Sequence, residues 1–145
     1  MGRKRRPVNE TMPLQTEGSS LLRAGREEGE TRGRVLVTGA NGQLGRALMA
    51  LLPQAGFDPT GVDLPEVDIS DAAAMSSWDW SSYDIIINAA AWTNVDGAET
   101  PEGRRLSWRA NTVGPVNLAR AAVQHGLTLV HLSTEYTFDG ATPVH

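Results

Sequence analysis

Short apolar runs alternate along this chain with segments in which apolar residues recur at helical spacing. The runs have the length and β-branched composition of buried strands, whereas apolar residues three or four positions apart share one face of a helix. The pattern predicts strands at about 35–37, 60–62, 84–88 and 127–132, and helices at about 44–52, 71–78 and 102–125. Strands that are apolar on both faces and alternate with helices are typical of a parallel sheet covered by helices on both sides. The predicted fold class is therefore α/β, with a doubly wound parallel sheet.

Some details of these elements are also predicted. The first helix is expected to turn a stripe towards the sheet, formed by Leu44, Ala47, Leu48, Leu51 and Leu52. The last helix is expected to bend at Gly114-Pro115 and to end at Gly126. Aromatic residues Trp78, Trp80 and Trp108 are interpreted as core or helix-packing side chains, and His131 as a packed strand residue.

The turn between the first strand and the first helix contains three glycines, Gly39, Gly42 and Gly45. The first allows a sharp turn, the second leaves room for a pyrophosphate beside the backbone, and the third brings the helix close to the sheet. Unpaired N–H groups at the start of the helix would then face the phosphates. The position of the turn between strand and helix favours dinucleotide binding by a Rossmann-type fold over a purely structural turn.

Asp63 follows the second predicted strand, eighteen residues after Gly45. A carboxylate there can accept hydrogen bonds from the adenosine ribose, and it would repel a 2′-phosphate. Arg46 could offset that repulsion, so the cofactor is NADH or NADPH with a preference for NADH. The alternative is that Asp63 is an ordinary loop carboxylate.

Composition narrows the class of protein. The 145 residues include no cysteine, and no apolar stretch is long enough for a membrane span or a signal peptide, so a cytoplasmic location is expected. The first 34 residues carry eight basic residues and five glutamates, a net charge of +3, whereas the rest carries −7. This acidic body argues against a nucleic-acid partner. Residues 1–33 are polar and aperiodic and are predicted to be a disordered leader or linker before a domain at 34–145.

Four motifs in order resemble one enzyme family. The glycine turn, Thr38–Gly45, is similar to the nucleotide turn of extended short-chain dehydrogenases/reductases. Three further stretches, Val67–Asp71, Asn88–Glu99 and His131–Gly140, resemble the dTDP-4-dehydrorhamnose reductases, which reduce a 4-keto sugar nucleotide to complete dTDP-L-rhamnose. The resemblance covers about residues 34–140 and implies the N-terminal portion of an NAD(P)-binding Rossmann domain.

The resemblance also implies roles for individual residues. The coenzyme would be held at the pyrophosphate by Gly42, Gln43 and Leu44, at the ribose by Asp63, at the adenine by Asp68 and Ile69, and at the nicotinamide by Ala90, Ala91 and Trp92. The dTDP-sugar substrate would meet Thr134, Glu135, Val95 and Asp96. Of these, Thr134 matches the catalytic hydroxyl that bonds the sugar carbonyl, and Glu135 replaces the usual aspartate. Asn111 matches a helix asparagine common to the superfamily. Some relatives bind magnesium through an acidic residue where this chain has Ala47, so no metal is expected.

The proton-donating Tyr-x-x-x-Lys of the superfamily is absent from these 145 residues. Four positions after Tyr83 is Ile87, four after Tyr136 is Gly140, and the single lysine is Lys4. Hydride transfer to a carbonyl needs a proton donor for the developing alkoxide. We therefore expect a truncated product that binds coenzyme weakly and is inactive alone. The alternatives are a related sugar-nucleotide epimerase or dehydratase, or a non-catalytic NAD(P)-binding regulatory subunit. The sequence leaves open whether the longer protein forms a homodimer.

Overall fold

The computed structural model describes residues 31–134 of the chain. Its strands are β1 (Arg34–Thr38), β2 (Asp58–Val62), β3 (Ile85–Asn88) and β4 (Thr128–His131). Its α-helices are α1 (Gln43–Leu51), α2 (Ala72–Ser77), α3 (Val95–Ala98), α4 (Pro101–Trp108) and α5 (Gly114–His125). Two 3-10 turns at Pro53–Ala55 and Trp80–Ser82 and a π-helical turn at Arg109–Val113 complete the order. Most of the leader predicted at 1–33 lies outside the described residues, and its boundary stays a prediction.

All four strands are parallel and form one sheet in the order β2-β1-β3-β4. The chain therefore leaves β1 through α1 to the neighbouring β2, then returns to the other side of β1. The four strands match the four predicted apolar runs, and the α/β class with a parallel sheet is confirmed. Their carboxyl ends meet at one edge, which is where open α/β sheets bind ligands.

One face of the sheet forms the main core. Leu36 and Ile86 are at most 2% exposed and pack with Leu118 of α5, while Met75 of α2 closes the layer. Trp80 belongs to the same cluster, and its indole N–H donates to the Met75 carbonyl at 2.8 Å. The predicted core role of Trp80 is correct. Trp108 is 63% exposed at the end of α4, so its predicted core role is wrong.

The opposite face is covered mainly by α1. Val35 and Val37 of β1 are fully buried there, but Ile87 of β3 is only half-buried and Val130 of β4 is 45% exposed. Coverage decreases with distance from α1 because no other helix of the described part packs over the β3–β4 half of that face. Helices therefore cover both faces only around β1 and β2.

The predicted stripe on α1 is partly wrong. Leu44 is 40% exposed and Leu51 is 58% exposed, and Ala47 is exposed as well. The side facing the sheet is formed by Gly45, which is buried, with Leu48, Met49 and Leu52 beside it. Because Gly45 lies against the sheet, Leu44, Ala47 and Leu51 lie on the outer side of α1.

The single long helix predicted at 102–125 is interrupted. Thr100 caps α4 by accepting from the Gly103 N–H at 3.0 Å. A π-helical turn follows α4, and α5 begins at Gly114 with Pro115 as its second residue. Proline has no N–H for the helix ladder, so the irregular turn lies where the bend was predicted. Gly126 ends α5 in the left-handed conformation, as predicted.

Candidate functional site

The glycine turn packs directly against the end of β3. Gly39 has a φ of +71°, a conformation that side chains rarely adopt, and a Cβ there would lie 2.5 Å from the Ala90 nitrogen. A Cβ on Gly45 would collide with the Gly39 carbonyl oxygen and lie 2.6 Å from the Ala40 Cα. Both glycines are therefore required by the protein's own packing, whether or not a ligand binds.

Gly42 differs from the other two glycines. It is the N-cap of α1, with an extended backbone (φ −70°, ψ 172°) that any residue can adopt, and no side chain caps the helix. A Cβ on Gly42 would meet only the Gly39 oxygen, at 3.2 Å, and would otherwise project into open space. The backbone conformation does not require glycine here, and the contact with the Gly39 oxygen is the one close approach, so the open space beside Gly42 and the uncapped first turn of α1 fit a phosphate group.

Asp63 connects the end of β2 to the glycine turn. Its Oδ2 accepts the Asn41 N–H at 2.8 Å, and its Oδ1 accepts the Leu64 N–H at 2.8 Å. Each carboxylate oxygen keeps a second lone pair, so Asp63 can also accept a hydrogen bond from a sugar hydroxyl. The contact with Asn41 places that carboxylate next to the phosphate-sized space.

Asp68, Ser70 and Arg109 form a charged cluster. The Asp68 Oδ1 accepts the Ser70 hydroxyl at 2.7 Å and the Ser70 N–H at 2.8 Å, and its Oδ2 accepts from Arg109 at 3.0 Å. Partial burial raises the pKa of Asp68, but the Ser70 and Arg109 interactions outweigh it, so the pKa lies below its usual value. Arg109 also donates to the Ser70 hydroxyl at 3.0 Å. The ionised form of Asp68 is thus favoured, and its two oxygens are tied to Ser70 and Arg109.

The segment after β3 is held from two sides. The Asn88 side-chain oxygen accepts the Ala90 N–H at 3.1 Å. The Asn111 side chain accepts the Trp92 N–H at 2.8 Å and donates to the Trp92 carbonyl at 3.1 Å. Asn111 therefore fixes the backbone of the strand-end segment.

These parts surround one cleft of about 280 Å³ at the carboxyl edge of the sheet. It brings together eight of the predicted coenzyme residues, Gly39, Gly42, Asp63, Asp68, Ile69, Ala90, Ala91 and Trp92. Pockets that enclose drug-sized ligands span roughly 300–1,000 Å³. The cleft therefore encloses only part of a dinucleotide.

Residues 33–145 match the family described as the RmlD substrate binding domain. The match covers most of the chain and includes the turn, both sides of the cleft and the segment after β4. The chain belongs to this family.

Similar proteins and solved structures agree with this assignment. A dTDP-4-dehydrorhamnose reductase of Mycobacterium tuberculosis is 42% identical over 117 residues, which are 81% of this chain and 36% of that protein. The dTDP-4-dehydrorhamnose reductase of Bacillus anthracis in complex with NADP has a TM-score of 0.70 at 36% identity, over 79% of this chain and 40% of that one. A Thermus thermophilus UDP-glucose 4-epimerase in complex with NAD has a TM-score of 0.61 at 26% identity, over 70% of this chain and 37% of that one. The chain spans about 36% of the length of the curated relative.

The remaining predicted residues that the structure describes do not line the cleft. Gln43, Leu44 and Gly45 form the first turn of α1, next to Gly42 but not among the lining residues. Val95 and Asp96 are exposed on α3, and Thr134 is exposed beyond β4. Glu135 lies outside the described residues. Their proposed contacts with a coenzyme or sugar stay predictions.

Several residues of the cleft were not identified from the sequence. Arg109 and Ser70 are its main polar additions, and Leu106 and Ala110 line its wall. Arg109 is forty-one positions from Asp68 along the chain, so no local motif indicates the pairing. The sequence offered one weak signal, the aspartate pair Asp68 and Asp71, with which a cationic side chain can form an ion pair.

His131 also differs from its prediction. It is exposed, and its ring nitrogen Nδ1 lies 3.0 Å from the Asn88 side-chain nitrogen.

Two absences apply to the described range, 31–134. No group of three or more His, Asp or Glu side chains there is placed to hold a metal ion. No helix in that range is long and apolar enough to cross a bilayer.

Proposed function

We propose that this chain is the coenzyme-binding part of an NAD(P)H-dependent reductase that converts dTDP-4-dehydro-L-rhamnose to dTDP-L-rhamnose. The proposal is supported by membership of the family and by the reductase names of the relatives from M. tuberculosis and B. anthracis. The absence of cysteine fits a cytoplasmic enzyme. An exposed apolar pair on α1, Leu44 and Leu51, is a surface that a homodimer of the longer protein could bury.

The single observation that carries the proposal is the space beside Gly42. A pyrophosphate placed there would face the uncapped N-terminus of α1, whose partial positive charge and free N–H groups bind anions. From that position Asp63 would reach the adenosine ribose, and Asp68 with Ile69 would flank the adenine. The Ala90–Trp92 segment would support the nicotinamide. These residues bind and orient, and the bound coenzyme supplies the hydride.

Both nicotinamide coenzymes occur among the solved structures that this chain resembles. The B. anthracis relative was solved with NADP and the T. thermophilus epimerase with NAD. Asp63 at the ribose position favours NADH because its carboxylate repels a 2′-phosphate. Titration with both coenzymes at one ionic strength would measure that preference.

A developing alkoxide on the sugar would need a proton, and the 145 residues contain no Tyr-x-x-x-Lys to supply it. We propose that Thr134 bonds the sugar carbonyl, with Glu135, Val95 and Asp96 contacting the sugar nucleotide, and that the chain alone does not turn substrate over. The alternative is a non-catalytic NAD(P)-binding regulatory subunit, which a longer protein that lacks Tyr-x-x-x-Lys throughout would favour, whereas a Tyr-x-x-x-Lys downstream of residue 145 would favour the reductase. Oxidation of NADPH by the 145-residue chain in the presence of the keto-sugar would show that the chain is active by itself, and would contradict both hypotheses.

The test of coenzyme binding is the substitution Gly42→Ser. Serine is a preferred N-cap and gains a few tenths of a kcal/mol over glycine, but its Cβ lies 3.2 Å from the Gly39 oxygen, so the free energy of unfolding should change by less than about 1 kcal/mol. Its Cβ and Oγ occupy the phosphate space, so the affinity for NADPH and NADH should fall at least about tenfold, which is roughly 1.4 kcal/mol. Fluorescence titration and calorimetry measure the affinity, and thermal melting measures stability.

Ala50→Ser is the matched control. Ala50 is exposed on α1 and does not line the cleft, so this variant introduces a serine side chain away from the proposed coenzyme site. Its coenzyme affinity should equal that of the unsubstituted chain. Equal affinity of the Gly42→Ser variant, or no binding of either coenzyme to the unsubstituted chain, would refute the proposed function.

A further inference from the structure

Three polar side chains stand in a row across the carboxyl ends of three neighbouring strands. The strand register pairs Thr38 of β1 with Asn88 of β3, and Asn88 with His131 of β4. Thr38 and Asn88 are each 1% exposed, whereas His131 is exposed at the end of the row. The row therefore connects a solvent-accessible titratable ring to a buried amide.

The hydrogen bonds fix the orientation of the Asn88 amide. Its oxygen accepts the Thr38 hydroxyl at 2.7 Å and the Ala90 N–H at 3.1 Å. A backbone N–H can only donate, so the atom facing Ala90 must be the oxygen and the amide nitrogen must face His131. That nitrogen lies 3.0 Å from His131 Nδ1.

This orientation also fixes the state of the histidine. An amide nitrogen only donates, so His131 Nδ1 must accept through its lone pair and the ring proton must lie on Nε2. A protonated ring would place a second N–H against the amide N–H. The Asn88 donor would then lose its partner at a buried position, and either the amide or the ring would have to turn.

The effect of such a turn reaches the cleft. The same Asn88 oxygen holds the Ala90 N–H, and the Ala90 backbone packs against Gly39 of the glycine turn. Both Ala90 and Gly39 line the cleft. Among the elements packed against β4, β3 carries no titratable residue. The charged or titratable residues of α5 are Arg120 and His125, and neither of them bonds to His131.

We propose that Asn88 and neutral His131 are positioning residues that hold the Ala90 segment against the glycine turn, and that protonation of His131 releases this segment and weakens coenzyme binding. The effect on the coenzyme rests on the proposed function above. The effect on the segment does not, and it is measurable in the chain alone.

The first measurement uses nuclear magnetic resonance on the 145-residue chain without coenzyme. The chain has three histidines, and the His131 ring is assigned by its loss in a His131→Asn variant. At high pH the ring should be the Nε2–H tautomer, with Nδ1 unprotonated. Lowering the pH from about 8 to 5, the interval in which histidines change charge, should shift the Ala90 amide with the same midpoint as the His131 ring. An Nδ1–H tautomer, or an Ala90 amide that ignores the His131 titration, would overturn the inference.

The second measurement compares two variants in coenzyme binding. His131→Asn keeps an acceptor oxygen near the Nδ1 position and cannot be protonated, whereas His131→Val suits a strand but has no acceptor. Between pH 8 and 5.5 the coenzyme affinity of the unsubstituted chain should fall at least about threefold more than that of His131→Asn. The asparagine variant should retain the high-pH affinity, and the valine variant should bind weakly at both pH values.

The outcomes separate the two proposals. Equal pH profiles for the unsubstituted chain and His131→Asn would overturn the role of His131. Full affinity of His131→Val at high pH would overturn it too. If neither coenzyme binds any of the three chains, the proposed function fails, and the Ala90 and His131 resonances still decide whether the pair positions the segment.

Discussion

The close packing of Gly39 against Ala90 predicts a large loss of stability for Gly39→Ala. The φ of +71° costs an alanine roughly 1–2 kcal/mol, because its Cβ crowds the following carbonyl. The new Cβ would also lie 2.5 Å from the Ala90 nitrogen and 2.6 Å from the Ala90 Cα, so the turn or the end of β3 must move. Overpacking of this kind costs about 1–3 kcal/mol, which brings the expected total to about 2–5 kcal/mol.

The chain contains a matched control for the torsional part of this cost. Gly126 has a φ of +68°, and a Cβ there would meet nothing within 4 Å. Gly126→Ala should therefore cost only about 1–2 kcal/mol. The difference between the two variants, about 1–3 kcal/mol, isolates the contact with Ala90.

Urea unfolding of the 145-residue chain, monitored by tryptophan fluorescence, measures both free energies. Trp80 is 3% exposed, so its emission should report the loss of the core. The midpoint should fall more for Gly39→Ala than for Gly126→Ala while the urea dependence stays equal. Equal losses in the two variants would refute the packing argument and leave backbone conformation as the whole effect.

Two further predictions concern single side chains. Asp71 is the N-cap of α2, and its carboxylate accepts the Ala73 N–H at 2.8 Å. Asp71→Ala should therefore lower the free energy of unfolding by about 1 kcal/mol in the same urea assay, and Asp71→Asn should recover most of that loss. Arg109→Met removes the cation beside Asp68, whose pKa lies below its usual value, and should cost from a few tenths to about 1 kcal/mol because both side chains are more than 40% exposed. A lowered pKa means that the Asp68 contribution is complete above about pH 4 and is lost as the pH falls through the folded-state pKa. The stability gap between the parent chain and Arg109→Met should therefore narrow below about pH 4 in acid titrations of unfolding, and a constant gap would contradict the role of the ion pair.

Local sequence was sufficient for the elements and for the turn. A strand that is apolar on both faces and a helix that ends at a glycine each depend on neighbours within a few positions. The same is true of Gly42, where the strand–turn–helix context indicates a phosphate site and the structure leaves the Cβ direction open. For this reason the sheet class and the glycine turn could be predicted from local pattern, whereas Asp68, Ile69 and Ala90–Trp92 were expected at the cleft only from the family resemblance.

Only the tertiary structure decided which side chains meet across the sheet and cleft. Arg109 reaches Asp68 because a π-helical turn brings it over the cleft, and His131 faces Asn88 because β4 pairs with β3 in one register. Periodicity shows that a helix has an apolar side, but not how far that side is rotated, so Leu51 was expected to be buried and is exposed. These contacts join residues tens of positions apart, and their geometry follows from close packing and strand register, which no local pattern contains.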